Sequence, residues 1–353
     1  MSSMGARKQL KAAQHHDKVA KAVLKRFRID NAPGLKYVEA REYYDRAARA
    51  YAAAGQPERC ADAYRKCADM SARLCRGANL EAVSYHVRCG ELLEENDPSE
   101  ACEHYADACD QCCDLGAWAT AAELRHRIAR LTDYTDDDEG REEKIVLLRS
   151  AADMYGAAAV RLHDETKHAL RRRCQLEAAS VEALGLRRYA RAADAFEAVA
   201  TEEMQDNATA ANATRLFFKA ALCSLIGGEH DLMRGKVEIF ADRFPEFGAS
   251  PERLFLLDAN RYVTADPPDY DRFADAAYNF CTVRNLDAWD LRMLQVINDD
   301  MREAYERMLV EQERRAAKEI RRAKREKEEK ERALRIKRDE ARRQKDVDAT
   351  AFL

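Results

Sequence analysis

Residues that break helices are scarce in this chain. Its 353 residues include only seven prolines and thirteen glycines, and no proline lies between Pro98 and Pro245. No stretch alternates Val, Ile or Thr with polar residues as a half-buried strand does. The sequence therefore argues against a sheet and predicts an all-α chain of long helices joined by short turns.

Long apolar runs are also missing. No window approaches the length that a membrane-spanning helix requires, and the first residues, MSSMGARKQLKAAQHHDKV, lack the apolar core of a secretory signal. The eleven cysteines are an odd number and are scattered through helical stretches. They favour reduced thiols that pack as small hydrophobic side chains, so we expect a cytoplasmic protein.

The motifs of catalysis and metal binding are absent too. The sequence has no glycine loop that would cradle a phosphate and no credible catalytic triad, so we expect neither an enzyme nor a cofactor. The segment CDQCC (109–113) lies near His104 but lacks the second ligand pair of a zinc site. Cys102, Cys109 and Cys113 share one helical face, which predicts core packing and no metal.

The formal net charge of −4 hides an uneven distribution. Residues 311–346 hold sixteen Lys and Arg against ten Asp and Glu, a local charge of +6, so the rest of the chain carries −10. Apolar residues in this segment are too sparse for a coiled-coil seam. It therefore predicts a solvated charged helix held by i, i+4 ion pairs.

Two segments share one pattern of proline, small residues and tyrosine. GQPERCADAYRKCADM places Pro57 seven residues before Tyr64, and NDPSEACEHYADACDQ repeats the spacing 41 residues later with Pro98 and Tyr105. Phe196, in RRYARAADAFEAV, marks a third copy without the proline. This period, with small residues at the helix crossings, predicts a tetratricopeptide-like α-solenoid of antiparallel helix hairpins.

The segment RLFFKAALCSL (215–225) predicts a helix that is buried on two sides. It carries two apolar faces about 100° apart. These faces hold Phe218, Ala221, Leu222 and Leu225 on one side and Phe217, Ala220 and Ser224 on the other. We expect such a helix in a middle layer of the stack.

Several segments, taken in order, resemble the soluble N-ethylmaleimide-sensitive-factor (NSF) attachment proteins, or SNAP family, closer to the alpha and beta types than to gamma. They are YYDRAARAYAAAG, CDLGAWATAAEL, LFFKAALCSL, FADRFPEF and NLDAWDLRML. The resemblance extends from about Ala13 to Arg307. It implies a helical-hairpin solenoid that ends in a small helical bundle.

The resemblance also implies a function that involves no catalysis by the chain itself. Family members act as non-enzymatic adaptors in vesicle fusion: several copies wrap the four-helix bundle of syntaxin-type and related SNAREs, and a hexameric NSF-type AAA ATPase then disassembles it. We expect an N-terminal segment (1–20), a solenoid (21–250), a C-terminal bundle (251–310) and a charged helical or disordered tail (311–353). We also expect peripheral association with membranes and no nucleic acid.

The family presents basic residues to the acidic SNARE bundle. In this sequence most of the corresponding positions are not basic, but basic residues lie close to them. Glu123 replaces a family lysine, Thr214 and Pro251 stand at two other basic positions, and the RRRC segment keeps one. Charge complementarity of this kind sets encounter rate and register. The resemblance implies a SNARE-binding basic face formed by Arg125, Arg127, Lys167, Arg171, Arg172, Arg173, Arg215 and Arg253.

An apolar loop of the family that enters the bilayer corresponds here to VLKRFRIDNAPGLKYV. The resemblance implies that Phe27, Ile29 and Leu35 insert while Lys25, Arg26 and Arg28 meet anionic headgroups. Pro33 and Gly34 favour a turn at this point. An ordinary turn between helices, with Phe27 packed inward, is the alternative.

The family ends in acidic residues and a leucine that stimulate the ATPase, after an LDxW element that faces it. The element is Leu286, Asp287 and Trp289 here. Beyond it the sequence departs from the family, because the helix is expected to run on to the ending DVDATAFL. Three outcomes stay open: the stimulating role passes to Asp346, Asp348 and Leu353, it stays with Glu303, Glu306 and Leu309, or it is weakened or lost.

A function of a different class is also compatible with the sequence. The chain would then be a tetratricopeptide-like scaffold whose basic tail binds RNA, an anionic membrane surface or the cytoskeleton, with salt-sensitive affinity.

Overall fold

The computed structural model describes residues 3–25, 34–75, 77–132, 137–205 and 210–350, the side chains of 3, 210, 211, 334, 335 and 339–350 excepted. Every regular element in these ranges is a helix, which confirms the all-α prediction. No helix among them is long and apolar enough to cross a membrane.

Fifteen helices span the described residues. In chain order they are α1 (Ser3–Lys25), α2 (Leu35–Ala53), α3 (Pro57–Leu74), α4 (Leu80–Leu93), α5 (Pro98–Asp114), α6 (Trp118–Leu131), α7 (Asp138–Leu162), α8 (Glu165–Leu184), α9 (Tyr189–Glu203), α10 (Ala210–Ile226), α11 (His230–Arg243), α12 (Pro245–Gly248), α13 (Pro251–Val263), α14 (Tyr270–Val283) and α15 (Ala288–Thr350).

The chain divides into two compact units, Met1–Gly227 and Gly228–Leu353. In the first unit, which holds α1 to α10, each helix packs on the next one in sequence. Because only short segments join consecutive helices, neighbours run antiparallel. This is the predicted stack of helix hairpins. The predicted domain boundaries at residues 20, 250 and 310 stay predictions.

The proline–tyrosine repeat has a simple structural basis. Pro57 and Pro98 are the first residues of α3 and α5, where the missing N–H of proline costs no hydrogen bond. Seven residues on, Tyr64 is 9% exposed and Tyr105 is 0% exposed. The third copy places Phe196 in the middle of α9, where it is also buried. The repeat therefore marks the start of a helix and one core position.

Helix α4 passes close to α5 because Gly90 has no side chain. A Cβ atom on Gly90 would lie 2.5 Å from the ring of Tyr105. The Tyr105 hydroxyl donates a hydrogen bond to Glu94 Oε1 at 2.8 Å, just beyond the end of α4. The two contacts fix the spacing between these helices.

Helix α10 is buried all the way round, as the two apolar faces predict. All ten residues from Leu216 to Leu225 are buried. Cys109 is buried as well, and Cys102 and Cys113 pack against the same core cluster. The prediction of core packing for these cysteines is confirmed.

The second unit combines short helices with one long one. Phe255 of α13 stacks on Phe280 of α14 with ring centroids 4.5 Å apart. Arg284, which follows α14, donates from Nε to Glu252 Oε1 at 2.7 Å. Helix α15 continues for 63 residues, and every side chain from 311 to 333 is exposed, as the charged-helix prediction requires.

Candidate functional site

The arginines of the predicted basic face that belong to the first unit lie on alternate helices. Arg125 and Arg127 are on α6, the RRRC arginines and Lys167 are on α8, and Arg215 is on α10. The acidic side chains around these basic residues lie on or directly after α4, and on α5, α8 and α9. The side chains around each basic residue differ, and they determine which of the positive charges are accessible to a partner.

Arg127 is bound inside the stack. Its Nε donates to Glu94 Oε1, its Nη1 lies 3.3 Å from Glu91 Oε1, and its guanidinium carbon lies 4.8 Å from the centroid of the Tyr105 ring. Burial alone would raise the pKa of Glu94, but the hydrogen bonds from Arg127 and Tyr105 outweigh it and hold the pKa below its ordinary value. Arg127 therefore joins α6 to α4 and α5.

Arg125 makes a longer ion pair than Arg127 does. Its Nη2 lies 3.7 Å from Asp110 Oδ1, and its side chain is 24% exposed while that of Asp110 is 78% exposed. An ion pair this open to water contributes little, so the guanidinium of Arg125 can exchange Asp110 for another carboxylate.

The three successive arginines of α8 do not point the same way, because consecutive helical residues are 100° apart. Arg171 donates to Glu202, and Arg172 Nε lies 3.6 Å from Glu203 Oε1. Both glutamates close α9, where negative charge is unfavourable at the negative end of the helix dipole. Arg171 and Arg172 offset that charge and join α8 to α9.

Arg173 points to the other side of α8. Its Nε donates to Glu177 Oε1 at 2.9 Å, four residues on, and its side chain is 60% exposed. Glu177 also lies 2.9 Å, through Oε2, from Nε2 of His126 on α6. Burial alone would raise the pKa of Glu177, but its hydrogen bonds from His126 and Arg173 hold it below the ordinary value of 4.5. This group joins α6 to α8 at the surface.

The remaining basic positions are of two kinds. Lys167 is half-buried one turn before Arg171, and Arg215 is exposed on α10. Arg253, in the second unit, pairs with Glu238 at 2.7 Å and donates to Gly248 O at 3.3 Å, so it holds α13 to α11 and to α12.

In the first unit, fewer basic side chains are therefore accessible to an acidic partner than the predicted basic face contains. Arg173 and Arg215 are exposed, while Arg127, Arg171 and Arg172 are held within the stack. Sequence reasoning missed the carboxylates that hold them. The i, i+4 spacing of Arg173 and Glu177 indicates one pair. Glu202 lies 31 residues from Arg171, on the next helix, so no spacing within one helix indicates that pair.

The predicted membrane loop falls mostly outside the described residues. Arg26, Phe27, Arg28 and Ile29 all lie in the gap at 26–33. Its two flanks are described: Lys25 ends α1 and is exposed, and Leu35 begins α2 with 47% of its surface exposed.

The LDxW element forms the start of α15. The N–H of Asp290 donates to Asp287 Oδ1 at 2.8 Å, and the N–H of Asp287 donates to Asp290 Oδ2 at 3.2 Å. This reciprocal pattern is a capping box. Asp290 is 1% exposed, and Leu286 and Trp289 are half-buried.

Further along α15, Glu303, Glu306 and Leu309 are exposed at intervals of three residues. Asp346 and Asp348 lie in the last turns of α15, whose side chains are not described, and Leu353 lies outside the described residues. The structure thus places Glu303, Glu306 and Leu309 in exposed positions on the part of α15 that follows the buried Met301.

Comparison with known proteins identifies relatives over most of the chain. The family model described as "Soluble NSF attachment protein, SNAP" matches residues 6–302. Human alpha-soluble NSF attachment protein is 27% identical over 264 residues, which are 73% of this chain and 83% of the relative.

Two further relatives agree. A probable vesicular-fusion protein sec17 homolog from Schizosaccharomyces pombe is 26% identical over 77% of this chain and 89% of its own length. Bovine beta-soluble NSF attachment protein is 27% identical over 72% of this chain and 81% of its own length. The family match ends within α15, which continues for about 50 residues beyond it.

Proposed function

The chain belongs to the soluble NSF attachment protein family, and from this membership we propose that it is a non-enzymatic adaptor for SNARE disassembly. It binds assembled SNARE bundles in several copies, at the cytoplasmic face of a membrane, and recruits an NSF-type AAA ATPase that disassembles them. The observation that carries the proposal is the family match over residues 6–302, which includes residues of both compact units.

Contact with the SNARE bundle is assigned to the exposed cations of the alternate helices. Arg173 and Arg215 contribute attraction to an acidic rod, and Arg125 adds to it by leaving Asp110. Such charges act chiefly on association rate and orientation. Arg127, Arg171 and Arg172 support the surface by holding its helices together.

The first and second units have separate roles in this proposal. Lys25 and Leu35 flank the segment that contacts the bilayer, with a cation for headgroups and an exposed apolar side chain for the interface. In the second unit, Leu286 and Trp289 contact the ATPase, and Glu303, Glu306 and Leu309 on the exposed surface of α15 provide the stimulating residues.

The experiment that tests SNARE recognition uses the exposed arginines. Arg173→Glu/Arg215→Glu reverses two exposed charges and leaves in place Arg127, Arg171 and Arg172, which pair across helices of the stack. We expect its affinity for an assembled SNARE bundle to fall by about tenfold or more, equivalent to about 1.4 kcal/mol, and ATPase-driven disassembly to slow accordingly. Binding is measured by pull-down and disassembly by loss of the intact bundle.

The matched control is Arg59→Glu, which reverses an exposed charge on α3, a helix of the other set. It should bind and disassemble SNARE bundles as the unmodified chain does. Equal loss in Arg59→Glu would mean that only net charge matters, and full binding by the double variant would refute the assigned surface.

A second function rests on the part of α15 beyond the family match. The segment 311–346 carries a charge of +6, and its side chains from 311 to 333 are all exposed. Such a helix attracts polyanions with salt-dependent affinity. This alternative makes the chain a repeat scaffold whose tail binds RNA, an anionic membrane surface or the cytoskeleton. An electrophoretic shift or sedimentation assay, with and without residues 311–353, distinguishes it.

A further inference from the structure

Two imidazoles meet where α4 packs against α5. His86 of α4 and His104 of α5 have ring centroids 5.5 Å apart, and their Nδ1 atoms are separated by 3.3 Å. Asp107 of α5 places its Oδ2 3.7 Å from Nδ1 of His86. One ligand atom from each of the three residues lies within 4.8 Å of the others.

These separations match those of ligands around one metal ion. With metal–nitrogen bonds of about 2.0–2.1 Å, tetrahedral angles place two ligand atoms about 3.3 Å apart. The two Nδ1 atoms already have this separation. Asp107 needs only a small rotation, and its side chain is 62% exposed and therefore able to turn.

The helices hold the ligand atoms firmly. His104 and Asp107 are three residues apart and so lie on one face of α5, the spacing at which metal-binding helical bundles place two ligands on one helix. His86 lies one helical turn before Gly90, whose missing side chain admits the ring of Tyr105, the neighbour of His104. The close approach that Gly90 permits therefore sets the distance between the two imidazoles.

The surroundings favour a cation. His86 is 13% exposed and His104 is 6% exposed. Carboxylates that include Asp107 and Glu100 lie near the two rings and contribute negative charge to the site. Arg65 also lies near His104, but it is paired with Asp62 at 2.7 Å.

We propose that His86, His104 and Asp107 bind a divalent transition-metal ion of the zinc type. Two imidazole nitrogens and one carboxylate oxygen are the mixed donor set that such ions prefer, and the exposed side of Asp107 leaves a position for water. The ion links α4 to α5 and so stiffens the stack at this junction. The site is separate from SNARE recognition, and its failure leaves the proposed function unaffected.

The test uses the full chain with its cysteines reduced and Co²⁺ as a spectroscopic probe for the site. We expect one equivalent to give visible d–d absorption without the near-ultraviolet charge-transfer bands of thiolate ligands, and Zn²⁺ to displace it. Excess Zn²⁺ should raise the thermal midpoint, because a ligand that binds only the folded chain stabilises it.

Three variants locate the ion. Asp107→Asn changes an exposed side chain and His86→Gln removes one imidazole; each should weaken Co²⁺ binding at least tenfold. His15→Gln removes an exposed imidazole on α1 and should bind as the unmodified chain does. Far-ultraviolet circular dichroism of Asp107→Asn confirms that its fold is intact.

Two results would overturn the proposal. One is a Co²⁺ spectrum dominated by thiolate bands or no spectrum at all. The other is an unchanged affinity for Co²⁺ in both Asp107→Asn and His86→Gln. Binding would then occur elsewhere, and His86 and His104 would only share a hydrogen bond.

Discussion

At the scale of single residues, one acidic side chain has two candidate roles. Asp287 belongs to the LDxW element that the family resemblance places toward the ATPase. In the structure its carboxylate accepts the hydrogen bond from the N–H of Asp290, the third residue of α15. The side chain of Asp287 is also partly accessible, so the capping role and the partner role have to be separated by substitutions that affect one and not the other.

Two substitutions separate them. Asp287→Ala removes the cap and should destabilise the chain by about 1 kcal/mol, whereas Asp287→Asn keeps an acceptor oxygen and should cost less than about 0.5 kcal/mol. Urea unfolding followed by circular dichroism measures both. An Ala variant as stable as the unmodified chain would contradict the capping role. ATPase stimulation that is lost in the stable Asn variant would assign the charge to the partner.

Single residues also show what sequence alone can predict. Pro57 and Pro98 mark helix starts, and Tyr64 and Tyr105 mark core positions, because both depend on spacing within one helix. The partner of Arg171 is 31 residues away on another helix, and His86 meets His104 from 18 residues away. Such contacts depend on how helices pack, which a single sequence does not specify.

At the scale of helices, α6 and α8 are joined by one surface group. His126 of α6 and Arg173 of α8 both contact the carboxylate of Glu177. The sequence predicts both helices and the spacing of Arg173 and Glu177, but not that His126 completes the group from 51 residues away. Under the proposed function, in which Arg173 contacts the SNARE bundle, the partner would compete with Glu177 for its guanidinium.

The group predicts a specific sensitivity to acid. The pKa of Glu177 in the folded chain is below its ordinary value of 4.5, so its stabilising effect is present above that pH and is lost as the pH falls below it. Glu177→Gln should cost about 1 kcal/mol at neutral pH, a low value for bonds to a charged group because a third of the side chain is exposed. It should also flatten the loss of stability that follows as the pH falls below 4.5.

Urea midpoints measured across that range check this expectation. The control is Glu143→Gln, which removes the same charge from an exposed position on α7 and should keep the full pH dependence. Identical pH profiles for Glu177→Gln and the unmodified chain would show that the hydrogen bonds from His126 and Arg173 do not stabilise the fold.

At the scale of the whole molecule, the family match and the family-like motifs of the sequence cover most of the chain. Neither of them extends to the end of α15. The resemblance from about Ala13 to Arg307 and the family match over 6–302 cover nearly the same residues. Helix α15 begins inside that range with a capped, half-buried turn and continues beyond it as a rod whose side chains from 311 to 333 are all exposed. The charge pattern of the sequence correctly predicts this exposed helix but does not indicate its function.

Deletion of residues 311–353 is the decisive change at this scale. The ion pairs along the rod, such as Arg315 with Glu311 at 3.2 Å and Arg322 with Glu326 at 3.0 Å, lie within α15 itself and contribute about 0.3–0.5 kcal/mol each to the helix. None of the side chains from 311 to 333 is buried. We therefore expect the free energy of unfolding of the shortened chain, measured by urea titration, to change by less than about 0.5 kcal/mol, while its helical circular dichroism decreases.

The same deletion decides between the two functions. As an adaptor, the shortened chain keeps Glu303, Glu306 and Leu309, so it should bind SNARE bundles and support disassembly by the ATPase. As a scaffold with an anion-binding tail, it should lose salt-dependent binding to RNA or anionic vesicles and show no role in disassembly before or after deletion. If disassembly depends on the last residues alone, the stimulating role has moved with the chain end, and Glu303→Gln/Glu306→Gln in the full chain should then have no effect.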